Sequence, residues 1–193
     1  MRTGGGAIFL LAGLLCSAFS NEGTWVIDRQ SRMTIHGSTN INTFSCQIGS
    51  YTGHDTLRYY QNIAGCEMQF SSSTMTIPIR HFDCGSRQIS SDFWKTLKSE
   101  THPRLRIDFV SLQNIPVRSD GLVSGVVDIS LAGVTTRYTI LFDMRVKNNL
   151  VLLTGIHVAN FSDFNLVPPE KLRGLIRVQQ LLRVEFDLVL KPV

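Results

Sequence analysis

Histidine, cysteine and paired carboxylates are the residues whose spacing most readily announces chemistry, and here that spacing argues against catalysis. The five histidines, His36, His54, His81, His102 and His157, are scattered. No H-E-x-x-H, no G-x-S-x-G nucleophile turn and no closely spaced carboxylate pair accompanies them. His81 and Cys84 form an H-x-x-C, half of a zinc or copper site. Its second half is missing, and there is no C-x-x-C. We therefore expect no catalytic residues, no metal and no enzyme. Asp28, Asp92 and His102 stand beside turns and helix ends, where capping is the simpler use of such side chains.

The cysteines suggest a bridge instead. Beyond residue 20 the chain keeps Cys46, Cys66 and Cys84. These allow three single bridges and leave one cysteine over. We expect Cys46–Cys84, with Cys66 a buried free thiol. Closing such a loop is worth about 4 kcal/mol in the chain-entropy account.

Disulfides persist where the chain is exported, and the N-terminus carries an export signal. Arg2 is followed by an apolar run from Ala7 to Leu15, then Ala18-Phe19-Ser20 with small residues at −3 and −1. This predicts a signal peptide over residues 1–20, cleaved near Ser20, and a periplasmic or secreted product. The run is too short to span a bilayer. Leu15 stands where lipid attachment at Cys16 would require a small residue. Residues 21–193 are then a single domain. Losing Arg2 lowers the formal charge from +4 to +3. The cations are dispersed, without interleaved aromatics, so nucleic acid is not an expected partner. A weak attraction to anionic headgroups leaves transient membrane contact open, and a homodimer is equally compatible.

The elements that must position any site are strands. Leu182, Val184, Phe186, Leu188 and Leu190 alternate with Arg183, Glu185, Asp187 and Val189, the period of a strand with one dry face. Similar runs surround Phe44-Cys46-Ile48, Cys66-Met68-Phe70, Met75-Ile77-Ile79, Leu105-Ile107-Phe109, Val123-Val127-Ile129-Leu131 and Tyr138-Ile140-Phe142-Met144-Val146. Leu150, Leu152, Ile156 and Val158 read as one further face. Gly49–Gln61 is polar, Tyr-rich and irregular. Ser90-Ser91-Asp92 reads as the start of a helix to about Ser99, and Pro169–Arg173 as one helical turn. Eight to ten strands joined by tight turns mean an all-β antiparallel sheet with a single interior. Long strands favour closing it into a barrel over a sandwich.

A barrel of about eight strands can be filled by side chains or hold one small molecule. The expected inward set is Phe44, Phe109, Ile129, Ile140, Phe142, Ile156 and Phe186, with Gly125 leaving space. Such a lining accepts a hydrocarbon chain and rejects charge, and each buried methylene is worth about 0.8 kcal/mol. Pattern alone favours a filled core, in which these side chains touch one another and leave no cavity.

Three segments resemble the YceI-like family of exported lipid-binding proteins. The first is Trp25-x-Ile27-Asp28 with Ser31, Gly37-Ser38-Thr39-Asn40 and Phe44. The second is Asp92-Phe93-Trp94-x-x-Leu97-Lys98-Ser99-Glu100-x-His102-Pro103, followed by Leu105-x-Ile107-x-Phe109. The third is Phe164-x-Leu166-x-Pro168-Pro169 with Gly174-Leu175-Ile176-x-Val178. The resemblance implies an extended lipocalin-like antiparallel barrel of about eight strands with one or two short helices. It implies an apolar tunnel for a polyisoprenoid, quinone-like or similar long-chain lipid, with no other cofactor. Phe93, Trp94 and Phe164 to Ile176 would then lie near the barrel ends, making Phe93 and Phe164 further ligand-binding candidates. The competing reading is a β module that uses its outer surface around a filled core.

Overall fold

A dry face on a long strand needs neighbours along both edges, and the last strand, β13 (Leu181–Pro192), finds three. One edge pairs antiparallel with β10 (Leu150–Asn160), from Leu181↔Asn160 to Leu190↔Val151. The other pairs first with β2 (Arg32–Ser38) and then with β1 (Asn21–Ile27). The computed structural model describes residues 21–48, 51–61, 67–116 and 120–193, so the expected signal peptide over residues 1–20 and Cys66 lie outside the described residues.

From β1 the sheet continues through β4 (Thr56–Gln61), β5 (Glu67–Ser71), β7 (Arg104–Gln113), β8 (Gly121–Leu131), β9 (Val134–Lys147) and β10 back to β13. That is a closed ring of eight strands, each antiparallel to its neighbours. Closure pairs every strand edge in the ring and removes the edges that promote aggregation. β3 (Thr43–Ile48) pairs with β2, and β6 (Thr74–Pro78) pairs with β7 beyond β5.

Two repairs hold the ring where strands break. Between β1 and β2 the fully buried Ser31 stands in for a backbone group. Its Oγ donates to Val189 O at 3.3 Å and accepts from Val189 N at 3.0 Å. Between β3 and the segment after β6, Gln47 N donates to Asp83 O at 2.8 Å and Asp83 N returns to Gln47 O at 3.0 Å. Cys46 and Cys84 are bonded immediately beside that bridge. Cys84 is thus committed to a disulfide, and His81 sits exposed at the end of a 3-10 turn (Ile79–His81).

Several sequence expectations are corrected. Pro169–Arg173 is not a helical turn. Glu170–Lys171 (β11) pairs with Ile176–Arg177 (β12) as a small hairpin. The fixed φ of proline suits extended backbone as well as a helix start, and bonds from Asn40 to Leu175 and Arg177 decide for the hairpin. The helix α1 (Arg87–Thr96) starts earlier than Ser90, because Ser86 Oγ caps Ile89 N at 3.2 Å. Ser90 is buried and instead accepts from Cys84 N at 3.0 Å. Asp92 is mid-helix and caps nothing. Within Gly49–Gln61, residues Thr56–Gln61 form a regular strand against β1.

Candidate functional site

The interior is built row by row. Val123, Phe142, Gly155, Phe186, Met33 and Ile48 are successive register partners across β8, β9, β10, β13, β2 and β3, and all point inward. The Phe142 ring lies against two glycines. A Cβ at Gly125 or at Gly155 would stand 2.6 Å from that ring, closer than carbon atoms approach. Phe186 meets Phe142 edge-on at 6.3 Å between centroids. Another aromatic set fills the end nearer β1 and β4, where Trp25 contacts Tyr59 and Phe70, and Phe70 contacts Phe109.

On the opposite side of the Phe142–Phe186 row lies an apolar void of about 60 Å³. Among the described residues this void ends against Phe186, backed by Phe142, rather than running on as the wide tunnel expected from the sequence. Gly125 does not leave space, because the ring of Phe142 occupies it.

Above that row the sheet opens. The β9–β10 ladder stops at Phe142↔Gly155, and a 3-10 turn (Phe161–Phe164) sits against β9 beyond that point. Asp163 pins the turn. It accepts from Tyr138 Oη at 2.8 Å and from Asn160 N at 2.9 Å, while Thr136 Oγ1 donates to its carbonyl at 3.0 Å. The Asn160 N–H, against the opposing effect of burial and with help from the Tyr138 hydroxyl, holds the Asp163 carboxyl below the usual carboxylate range. Burial, then the neighbouring Asp163, pushes the Tyr138 hydroxyl up. His157 packs on Tyr138 at 4.3 Å, and its buried Nε2 has no hydrogen-bond partner among the described residues. Burial lowers its pKa against the pull of Asp163, favouring neutral imidazole.

A mouth pocket of about 210 Å³ lies between α1, the β2–β3 turn and the β11–β12 hairpin. Its walls include Phe44, Ile89, Ile176 and Val178, and also Phe93 and Phe161, which line the inner void as well. Those two rings are the partition between mouth and interior. A larger open groove of about 830 Å³ crosses the outer face near His36, Gln47, Asp83 and Arg183. Its walls are mixed, with Phe44, Val158 and Leu181 set among polar and charged side chains, and it is open to solvent rather than continuous with the inner void.

A tie spans the mouth, with Lys171 Nζ 2.8 Å from Asp92 Oδ2. Burial pushes the Asp92 carboxyl up, but the Lys171 ammonium and the Gln88 amide together outweigh it and leave its pKa lowered from 3.8. A lowered folded value means the tie stabilises the fold above the usual carboxylate range and is lost as pH falls through the folded value. Asp92→Asn is expected to cost under about 1 kcal/mol, as exposed pairs do, and to flatten the acid limb of stability below about pH 4. Urea unfolding of both proteins from acid to neutral pH checks it.

No protein-family model matches this chain, and no curated protein is similar to it. Solved structures are. A polyisoprenoid-binding domain from Saccharophagus degradans, implicated in plant cell wall breakdown, superposes with a TM-score of 0.60 at 14% identity, covering 86% of this chain and 97% of its own. BcnA of Burkholderia cenocepacia gives 0.56 at 13% identity, covering 84% and 99%. The fold is the YceI-like barrel.

This YceI-like barrel gathers some of the expected site residues and disperses others. Ile129, Phe93, Phe164 and Phe186 line the inner void. Ile140 and Phe142 are buried in the floor beneath it, and Phe109 belongs to the packed far end. Phe44 is half-buried at the rim, its ring laid over Gly37 across the β2–β3 ladder. Ile156 faces outward, 51% exposed. Its strand is apolar on both faces, and pairing Gly155 with Phe142 forces the odd-numbered residues Val151, Leu153, His157 and Ala159 toward the inside. Phe82 and Phe161, missed in the sequence, complete the upper wall, Phe82 meeting Phe93 edge-on at 5.6 Å. The apolar i, i+3 pair Phe161 and Phe164 was the available signal.

Proposed function

We propose that the protein is an exported binding protein for a long-chain amphiphilic lipid of the polyisoprenoid or quinone-like class. The tail enters through the mouth pocket and passes Phe93 and Phe161 toward the interior. The observation that carries this reading is the continuity of those walls: the same two rings line the open pocket and the apolar void behind it. The fold it shares with a polyisoprenoid-binding domain supports the ligand class. The void is far smaller than a prenyl chain, so loading requires the two rings to swing aside and α1 and the 3-10 turn to separate. Phe161 sits on the 3-10 turn over the splayed end of β9 and β10 and Phe93 on the short helix α1, so no ladder has to break.

The small void also favours a second reading, a β module with a filled core that works through its outer surface. Native mass spectrometry of the mature protein separates them. A carrier holds a species of several hundred daltons that organic extraction removes. Ile89→Glu places a carboxylate in the mouth at a partly exposed position, so the fold survives while retention falls about tenfold or more. A bare polypeptide that also fails to take up added prenyl alcohol would leave the filled-core module.

A further inference from the structure

The mouth is edged by apolar side chains that face water. Ile41 on the β2–β3 turn and Leu172 and Leu175 at the tip of the β11–β12 hairpin are 65, 67 and 72% exposed. The two tips form one rim. Asn40 Nδ2 donates to Leu175 O at 2.9 Å, Arg177 N donates to Asn40 Oδ1 at 2.9 Å, and Asn40 N donates to Arg177 O at 3.1 Å. Directly behind it is the mouth pocket, lined by Thr39, Asn42 and Ile176 from the same loops.

The backbone of the hairpin tip is an unfavourable place for these residues. Leu172 and Arg173 take φ values of 51° and 55° before Gly174 at 87°. The left-handed region is disfavoured for any residue with a Cβ and is normally given to Gly or Asn. The β9–β10 turn of this barrel does use Asn148 and Asn149 there. Ser72, Lys98 and Ala132 take the same region elsewhere, but among the described residues the hairpin tip alone puts a leucine there, and that leucine faces water.

Charge narrows the partner. The hairpin holds Lys171, Arg173 and Arg177 against Glu170. Lys171 is tied to Asp92, and Arg177 lies 3.8 Å from Glu170. Arg173 makes no ion pair or hydrogen bond among the described residues. Leucines beside an unpaired cation suit an interface of acyl chains under anionic headgroups. A symmetric contact between two copies would set these cations against each other.

We propose that this rim docks on an anionic lipid bilayer, with Ile41, Leu172 and Leu175 inserted among the acyl chains and Arg173 on the headgroup phosphates. Its purpose rests on the carrier reading, since docking presents the mouth to the membrane that supplies the tail. Vesicle flotation of the leader-free exported protein tests it, with phosphatidylcholine alone and with phosphatidylglycerol added. Binding is expected on the mixed vesicles, and the double variant Leu172→Ser, Leu175→Ser lowers partitioning about tenfold or more. Arg173→Glu lowers it on the mixed vesicles, while Leu122→Ser, an equally exposed leucine at the far end of β8, leaves it unchanged. Absence of binding to the mixed vesicles, indifference to the double leucine change, or self-association through the rim by sedimentation overturns the inference. Native mass spectrometry of the same variants keeps the two readings apart. Docking by a protein that never holds lipid removes the carrier and leaves the rim; lipid retained without docking does the reverse.

Discussion

Phe142→Ala is expected to lower the stability of the barrel by about 3–5 kcal/mol, the range for deleting a buried aromatic side chain. The site cannot collapse readily. Its ring is held between Gly125 and Gly155 on the two flanking strands, and glycines have no side chain to move into the gap. The consequence for binding runs the other way. Phe186 lines the inner void and Phe142 meets it edge-on from behind, so removing the Phe142 ring gives the void room to extend toward the far end of the barrel. Apolar cavities of this kind stay dry and take apolar guests. In the still-folded fraction the variant should therefore hold longer prenyl alcohols than the parent, read by native mass spectrometry across a chain-length series alongside urea unfolding. An unchanged length preference would mean that the tail never reaches the floor.

Replacing both Cys46 and Cys84 with alanine should cost about 4 kcal/mol, given the sequence separation of 38 and the loop-closure account of disulfides. The loss falls on one place. β3 has a ladder on its β2 side, but the other side is held to Asp83 by a single two-bond bridge next to the disulfide. Hydrogen exchange should rise first in β3 and around Asp83, with β8, β9 and β10 protected until global unfolding. Equal denaturation midpoints for the double variant and the oxidised parent would show that the bond contributes nothing.

The placement of Phe142 and Ile156 shows where a reading of the sequence succeeds and where it stops. On β13 the inward face is legible because Arg183, Glu185 and Asp187 mark the outside. On β8 and β9 the alternation is nearly as clear, which is why Ile129, Ile140, Phe142 and Phe186 are all buried. On β10 both faces are apolar, and no local rule can say which is wet. The partner strand decides, by seating an aromatic ring opposite Gly155. The same limit explains Gly125. A glycine in a strand announces that something comes close, but not whether that something is a ligand or a neighbouring ring.

The mouth was the least legible region. Phe161 and Phe164 are spaced by three within a segment with no strand alternation, and the hairpin at Glu170–Arg177 follows Pro169 and carries Gly174 where a helical turn would also have them. What places both is distant in the chain: Tyr138 and Thr136 hold the 3-10 turn through Asp163, and Asn40 holds the hairpin.

By itself the sequence determined the all-β class, the strand-rich antiparallel order, most of the buried faces and the resemblance to YceI-like proteins. Each depends on period-two patterning and turn residues, which are local. Only the tertiary structure decided how far the barrel is filled, which face of β10 is dry, and which rings separate mouth from interior. Those depend on how side chains from strands far apart in sequence share volume, and a pattern along one strand carries no measure of the space across the barrel.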